Sequence, residues 1–241
     1  MNNNNSEKYK EDFERALNIY ENNYSHEDLI NFLKNGSIVE KQTAVLKLNE
    51  IKTLEEARIL MNNLTGCDGK IREAVSFRLK EFTAQKPEFF LEFCDIFLDA
   101  IIDINGNICR NTIFALKYLK PFESFREEFC SKLCYLTLEL AKKAKNFDIQ
   151  EGKYKVNKEI FKLYWYLETL SEFVDSAENL KVGRSGLLSR QHNLEEILQE
   201  AKQVKDYTIR EKVAKILSKT DNFSDLKEEL KNDENYYVRR Y

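Results

Sequence analysis

Cys130 and Cys134 lie four residues apart in FCSKLCYL, a spacing that would place two thiols on one face of a helix and could hold a metal. Zinc normally takes four ligands, and no histidine or further cysteine stands near this pair in the sequence. The histidines are His26 and His192, far apart along the chain, and neither belongs to a nucleophile motif of the Ser-His-Asp or Cys-His kind. The expectation is therefore that Cys130 and Cys134 are small buried hydrophobes, with no metal, no cofactor and no catalytic residue assigned. One further stretch could bind an anion. Within DSAENLKVGRSGLLSRQHN, residues 175–193, Arg184, Ser185, Arg190 and His192 could turn cations and backbone amides on a phosphate. The G-R-S-G string lacks the Gly-Lys-Ser/Thr of a phosphate loop, so a solvated insertion is the competing reading.

What must position these residues is helical. Of 241 residues only 7 are Gly and 2 are Pro, too few for a turn-rich sheet protein. Hydrophobic residues make up 42% and charged residues 33%, the balance of a folded chain long enough for a sizeable core. The formal net charge of -3 gives no global signal for nucleic acid or an anionic membrane. An odd number of cysteines argues against a disulfide framework. The start, MNNNNSEKYKEDFERAL, lacks the apolar stretch of a secretory signal, and no run approaches a membrane span, so the cytoplasm is the expected compartment.

A frame recurs. In DGKIREAVSFRLKEF, Asp68 precedes Ile71 by three, Arg72 follows, and Val75, Leu79 and Phe82 continue one helical face. NGNICRNTIFALKYL repeats it with Asn105, Ile108, Thr112, Leu116 and Leu119, its arginine shifted to Arg110. DYTIREKVAKILSKT gives Asp206, Ile209, Arg210, Val213 and Leu217, and the last residues give Asn235, Val238 and Arg239. Weaker copies centre on Glu40 and Val156, the latter without the Asp or Asn and without the arginine. The frames thus stand at 40, 71, 108, 156, 209 and 238. An Asp, Asn or Ser at a helix start accepts from free N–H groups of the first turn. Each apolar stripe needs neighbours to cover it, and partner helices lie between the frames, including PEFFLEFCDIFLDAIID and the long PFESFREEFCSKLCYLTLELAKKAK.

This motif on every second helix resembles HEAT repeats, especially short bacterial ones, over about residues 25–241. The resemblance implies an all-α, right-handed solenoid of about six helix pairs, behind a polar tail and extra helix at 1–24 and with an inserted loop at 175–193. It also implies a structural ladder of Asp and Arg along the stack, assigned to Asp68, Arg72, Asp206, Arg210 and Arg239. Solenoids of this kind bind extended partners on the concave face formed by their second helices. Residues off the buried stripes are the candidates for that face. They include Glu73, Ser76 and Lys80, then Arg110, Phe114 and Lys117, then Asn157, Phe161, Lys162, Trp165 and Tyr166, then Glu211 and Lys215. KEIFKLYWYLETL carries more aromatic residues than one stripe uses, which makes Trp165 the expected centre of a contact patch unless the long preceding helix covers it. The expected function is a non-enzymatic scaffold for a protein or peptide. Alternatives are a nucleic-acid-binding or DNA-glycosylase-like HEAT protein, against which the charge argues, and an auxiliary subunit of a bilin-lyase-type enzyme. A monomer or an end-to-end dimer through Tyr236, Tyr237 and Tyr241 is expected.

Overall fold

In the computed structural model, residues 3–147, 158–175 and 194–241 are described, and among them every regular element is a helix. The chain divides into two compact units, one ending at Leu119 and the other beginning at Lys120.

The first unit contains α1 (Asn3–Glu21), α2 (His26–Asn35), α3 (Ile38–Lys47), α4 (Leu54–Leu64), α5 (Gly69–Gln85), a 3₁₀ turn (Pro87–Phe90), α6 (Cys94–Ala100) and α7 (Gly106–Leu116). Helix α3 packs between α1 and α5, and α5 between α3 and α7, so these four form one layer. Behind it lie α2 on α3, α4 on α5, and α6 on α7. The second unit holds α8 (Glu123–Ala144), α9 (Lys158–Glu172), α10 (Leu194–Lys202), α11 (Tyr207–Leu217), α12 (Ser224–Lys231) and α13 (Tyr236–Arg239). There α11 packs between α9 and α13, with α8 behind α9 and with α10 and α12 behind α11.

Local chemistry starts these helices. Asp68, Asn105, Asp206 and Asn235 are the N-caps of α5, α7, α11 and α13, each side chain accepting from a first-turn N–H. Ser25 with Asp28 and Ser37 with Glu40 form reciprocal capping boxes on α2 and α3. The Lys47 ammonium ends α1, donating to the carbonyls of Ile19 and Tyr20 at 2.7 and 2.9 Å and also to that of Asn22, where the helix dipole favours a cation. The frame residues Ile71, Val75, Leu79 and Phe82 are buried, as are Ile108, Thr112, Leu116, Ile209, Val213, Leu217 and Val238. Each large aliphatic or aromatic side chain so buried contributes about 1.5–3 kcal/mol.

The PEFFLEFCDIFLDAIID stretch, expected as one helix, is two pieces. Pro87 opens a 3₁₀ turn, α6 begins only at Cys94, and this path buries Phe90, Phe93 and Phe97 together. Val156, the centre of the fourth frame, and residues 176–193 of the expected insertion lie outside the described residues.

Candidate interaction surface

Helix α3 is covered by α1, α2 and α5, and α5 by α3, α4 and α7, which leaves one side of each helix open. On α5 the edge towards α3 carries Arg78 and Gln85, which donate to the carbonyls of Leu46 and Asn49. The edge towards α7 carries Glu73 and Ser76, which accept from the side chains of Asn107 and Asn111 at 3.3 and 3.2 Å. Phe77 falls between these edges and is 63% exposed.

One turn further, α7 presents Phe114, 41% exposed, and Tyr118 in the turn after this helix is also exposed. Two ammonium groups converge on the Phe114 ring: Lys117 Nζ lies 5.3 Å and Lys80 Nζ 6.0 Å from its centroid. Both sit within the range of cation–π attraction. Arg110 is exposed on the same face and donates to Asn107 Oδ1 at 3.1 Å. Leu46 of α3 extends the exposed apolar area, whereas the exposed Ile38 lines a groove with Lys34 of α2 and Ile59 of α4. Three successive helices of one layer thus offer aromatic and aliphatic side chains to solvent, with lysines at the α7 end. Arg110, Phe114 and Lys117 were named from the sequence together with Lys80; Phe77, Tyr118 and Leu46 were not. Their signal was an apolar residue just off a buried stripe, which sequence alone does not separate from core.

The fourth-frame patch is corrected. Trp165 and Tyr166 are buried and Phe161 is half-buried, because α9 is flanked by α8 and α11 and its aromatic residues pack on each other. Trp165 meets Tyr164 edge-on at 5.3 Å and Phe161 at 6.2 Å. Ser76 is buried too, and Lys215 and Glu211 are committed to Glu168 and Arg240. The α9–α11 contact is an ion cluster: Glu168 takes Lys215 at 2.6 Å and Lys212 at 2.9 Å, and Lys212 Nζ lies 4.4 Å from the Tyr164 ring centroid. Burial pushes the Glu168 carboxyl up, but the two lysines outweigh it and hold its pKa below the ordinary value.

The ladder is also redistributed. Arg72 Nε donates to Asp103 Oδ2 at 2.6 Å, while its Nη1 donates to the carbonyls of Gly66 and Cys67. Arg210 repeats this with Asp233 Oδ2 at 2.7 Å and the carbonyls of Val204 and Lys205. The acidic partners are thus Asp103 and Asp233, while Asp68 and Asp206 cap helices. Arg239 makes the same carbonyl clamp, on Asp233 and Glu234. In the third frame Cys109 stands where the arginine would be, and its Sγ lies 3.0 Å from the Asp103 carbonyl oxygen.

Among the described residues no three His, Cys, Asp or Glu side chains gather to hold a metal. Cys130 and Cys134 are buried, and burial pushes each thiol up to about 12. His26 Nε2 is taken up by Glu56 Oε2 at 3.0 Å. Arg184, Ser185, Arg190, His192 and Asn157 lie outside the described residues. Tyr236, Tyr237 and Tyr241 are exposed.

No protein-family model, curated protein or solved structure matches this chain. No helix among the described residues is long and apolar enough to cross a membrane.

Proposed function

We propose that the chain is a non-enzymatic scaffold of about six HEAT-like helix pairs, stacked right-handedly, that binds a protein or peptide segment on the open side of α3, α5 and α7. The supporting observation is Phe114, an exposed ring under two lysines, with Phe77 exposed on the adjacent α5 and Tyr118 exposed just after α7. A partner suited to it offers apolar anchors for the rings and carboxylates for Lys80 and Lys117. Aromatic residues of this kind carry a disproportionate share of binding energy when a partner covers them. Lysines around a stacking ring also suit single-stranded nucleic acid. The net charge of -3 favours the peptide.

Peptide-display selection against the full chain tests this. Enriched sequences should combine Asp or Glu with large apolar residues, and Phe114→Ala should weaken the best of them about thirtyfold, the size of a hot-spot loss. Lys80→Glu with Lys117→Glu should abolish binding while leaving the helical content intact. Selected peptides that bind this double variant as well as the parent would sink the proposal. A salt-steep affinity for single-stranded oligonucleotide, with no peptide selected, would replace it with the nucleic-acid reading.

A further inference from the structure

The two Arg–Asp rungs share a second bond. Asp103 Oδ1 accepts from the Asn105 N–H at 2.8 Å, and Asp233 Oδ1 accepts from the Asn235 N–H at 2.8 Å. In each rung one carboxylate therefore bridges the cation of the preceding repeat and the cap N–H of its own helix. At the junction of α3 with α5 the parts differ. Lys41 holds the position of the arginine, and Gly66 holds the position of the aspartate, two residues ahead of the cap Asp68. A groove of about 610 Å³ lies there, lined among others by Lys34, Lys41, Asn62, Gly66 and Asp68. Both of the groups that a carboxylate would join are open. Among the described residues, Lys41 makes only a 3.5 Å hydrogen bond, to Asn63, and no ion pair, and the Asp68 N–H has no acceptor.

We propose that this groove binds a carboxylate from outside the fold, bridging Lys41 Nζ and the Asp68 N–H as Asp103 bridges Arg72 and the Asn105 N–H. The charges around it are Lys34, Lys41 and Arg58 against Glu55 and Asp68, a formal excess of one positive. The Asp68 carboxylate is turned to its own helix, where Oδ1 takes the N–H groups of Lys70 and Ile71 at 2.9 and 3.1 Å. Arg58 is engaged by Glu92 through two hydrogen bonds, so Lys41 and Lys34 are the cations left for a ligand. The ligand is either a free dicarboxylate or the acidic side chain of a peptide. This site does not use the face around Phe114 and stands or falls separately from it.

Titration of the labelled full chain with succinate, and separately with N-acetyl-aspartyl amide, tests the site by NMR. The Asp68 amide proton should move downfield and saturate with at least one probe. Tighter binding of succinate identifies a free dicarboxylate as the source; tighter binding of the aspartyl amide identifies a peptide side chain. Lys41→Ala should weaken binding about tenfold or more, the usual loss for a hydrogen bond to a charged group, whereas Lys41→Arg should retain it. Gly66→Asp should abolish binding by supplying the carboxylate from within. A Cβ there meets the Asn62 and Asn63 carbonyls at 3.4 and 3.6 Å, so the side chain fits with little shift. An Asp68 amide unmoved by both probes, or a Lys41→Ala variant that binds as the parent does, overturns the proposal.

Discussion

Replacing Arg210 or Asp233 should destabilise the second unit, and replacing both should cost less than the sum. The side chains are 11% and 8% exposed, and they meet through two hydrogen bonds, Nε to Oδ2 at 2.7 Å and Nη2 to Oδ1 at 3.1 Å. A hydrogen bond to a charged group contributes about 1.5–3 kcal/mol, and removing one member of a buried pair costs about 3–5 kcal/mol when the other is left dry. Asp233 also accepts from the Asn235 N–H, and Glu234 still offers Arg210 a weaker partner at 3.2 Å. About 2 kcal/mol for Asp233→Asn and about 3 kcal/mol for Arg210→Ala are therefore expected, with a coupling of about 1–2 kcal/mol between them. Trp165 is the single tryptophan, is buried and lies in the same unit, so its fluorescence during urea unfolding reports that unit. A loss of 2 kcal/mol lowers the midpoint by about 1 M urea at a typical slope of about 2 kcal/mol per molar. Arg239→Ala removes the same carbonyl clamp without a carboxylate and should cost less than about 1 kcal/mol, the size of ordinary hydrogen bonds at an exposed site.

The pH dependence of this pair has a definite sign. Burial pushes the Asp233 carboxyl up, but the Arg210 hydrogen bond, the Asn235 N–H and the charges of Arg210 and Arg239 outweigh it, so its pKa falls below the ordinary 3.8. A depressed carboxyl contributes stability that is present above the unfolded pKa and lost as pH falls through the folded one. The gap between parent and Asp233→Asn should hold at neutral pH and close progressively below 3.8. A coupling under about 0.5 kcal/mol at neutral pH, or a gap that does not close in acid, would refute the reasoning.

Two other outcomes follow from burial. Glu168→Gln should destabilise the second unit by about 3–5 kcal/mol, read by the same unfolding curve, because it strands the buried Lys212 beside Lys215. With a thiol reagent such as 5,5′-dithiobis(2-nitrobenzoate), Cys67 alone should react in the native chain and the other four cysteines only on unfolding, since Cys67 is exposed and Cys94, Cys109, Cys130 and Cys134 are buried.

How much of this was written in the sequence depends on whether a residue acts locally. The cap positions were legible because an Asp or Asn three residues before an apolar stripe satisfies N–H groups of its own first turn. The stripe from Ile71 to Phe82 was legible for the same reason, helical period being a local property. Trp165 was not, since its burial depends on α8 and α11, and surplus aromatic residues read alike whether they face a partner or a long neighbouring helix. The extent of the surface on α3, α5 and α7 was likewise hidden, because Phe77 becomes exposed only through the placement of the helices on either side of it.

The ladder shows a signal that was present and could be read. Where the preceding frame supplies an arginine, the loop reads Asp-x-Asn: Asp103-Ile104-Asn105 after Arg72, and Asp233-Glu234-Asn235 after Arg210. Where it does not, the carboxylate moves to the cap itself: Gly66 precedes Asp68 after Lys41, and Val204 precedes Asp206 after a frame whose corresponding residue is Asn157. Two carboxylates two residues apart at one helix start would repel, whereas Asn and Asp accept from the first turn about equally well. At the cap and the residue two before it, each of these four loops therefore has one carboxylate in all, set inward as a cap or outward as a rung. The choice between Asn and Asp at the cap records whether the previous repeat has a guanidinium to satisfy. At the α3–α5 junction that choice left Lys41 without an acidic partner, which is why an external carboxylate is the ligand its groove should take.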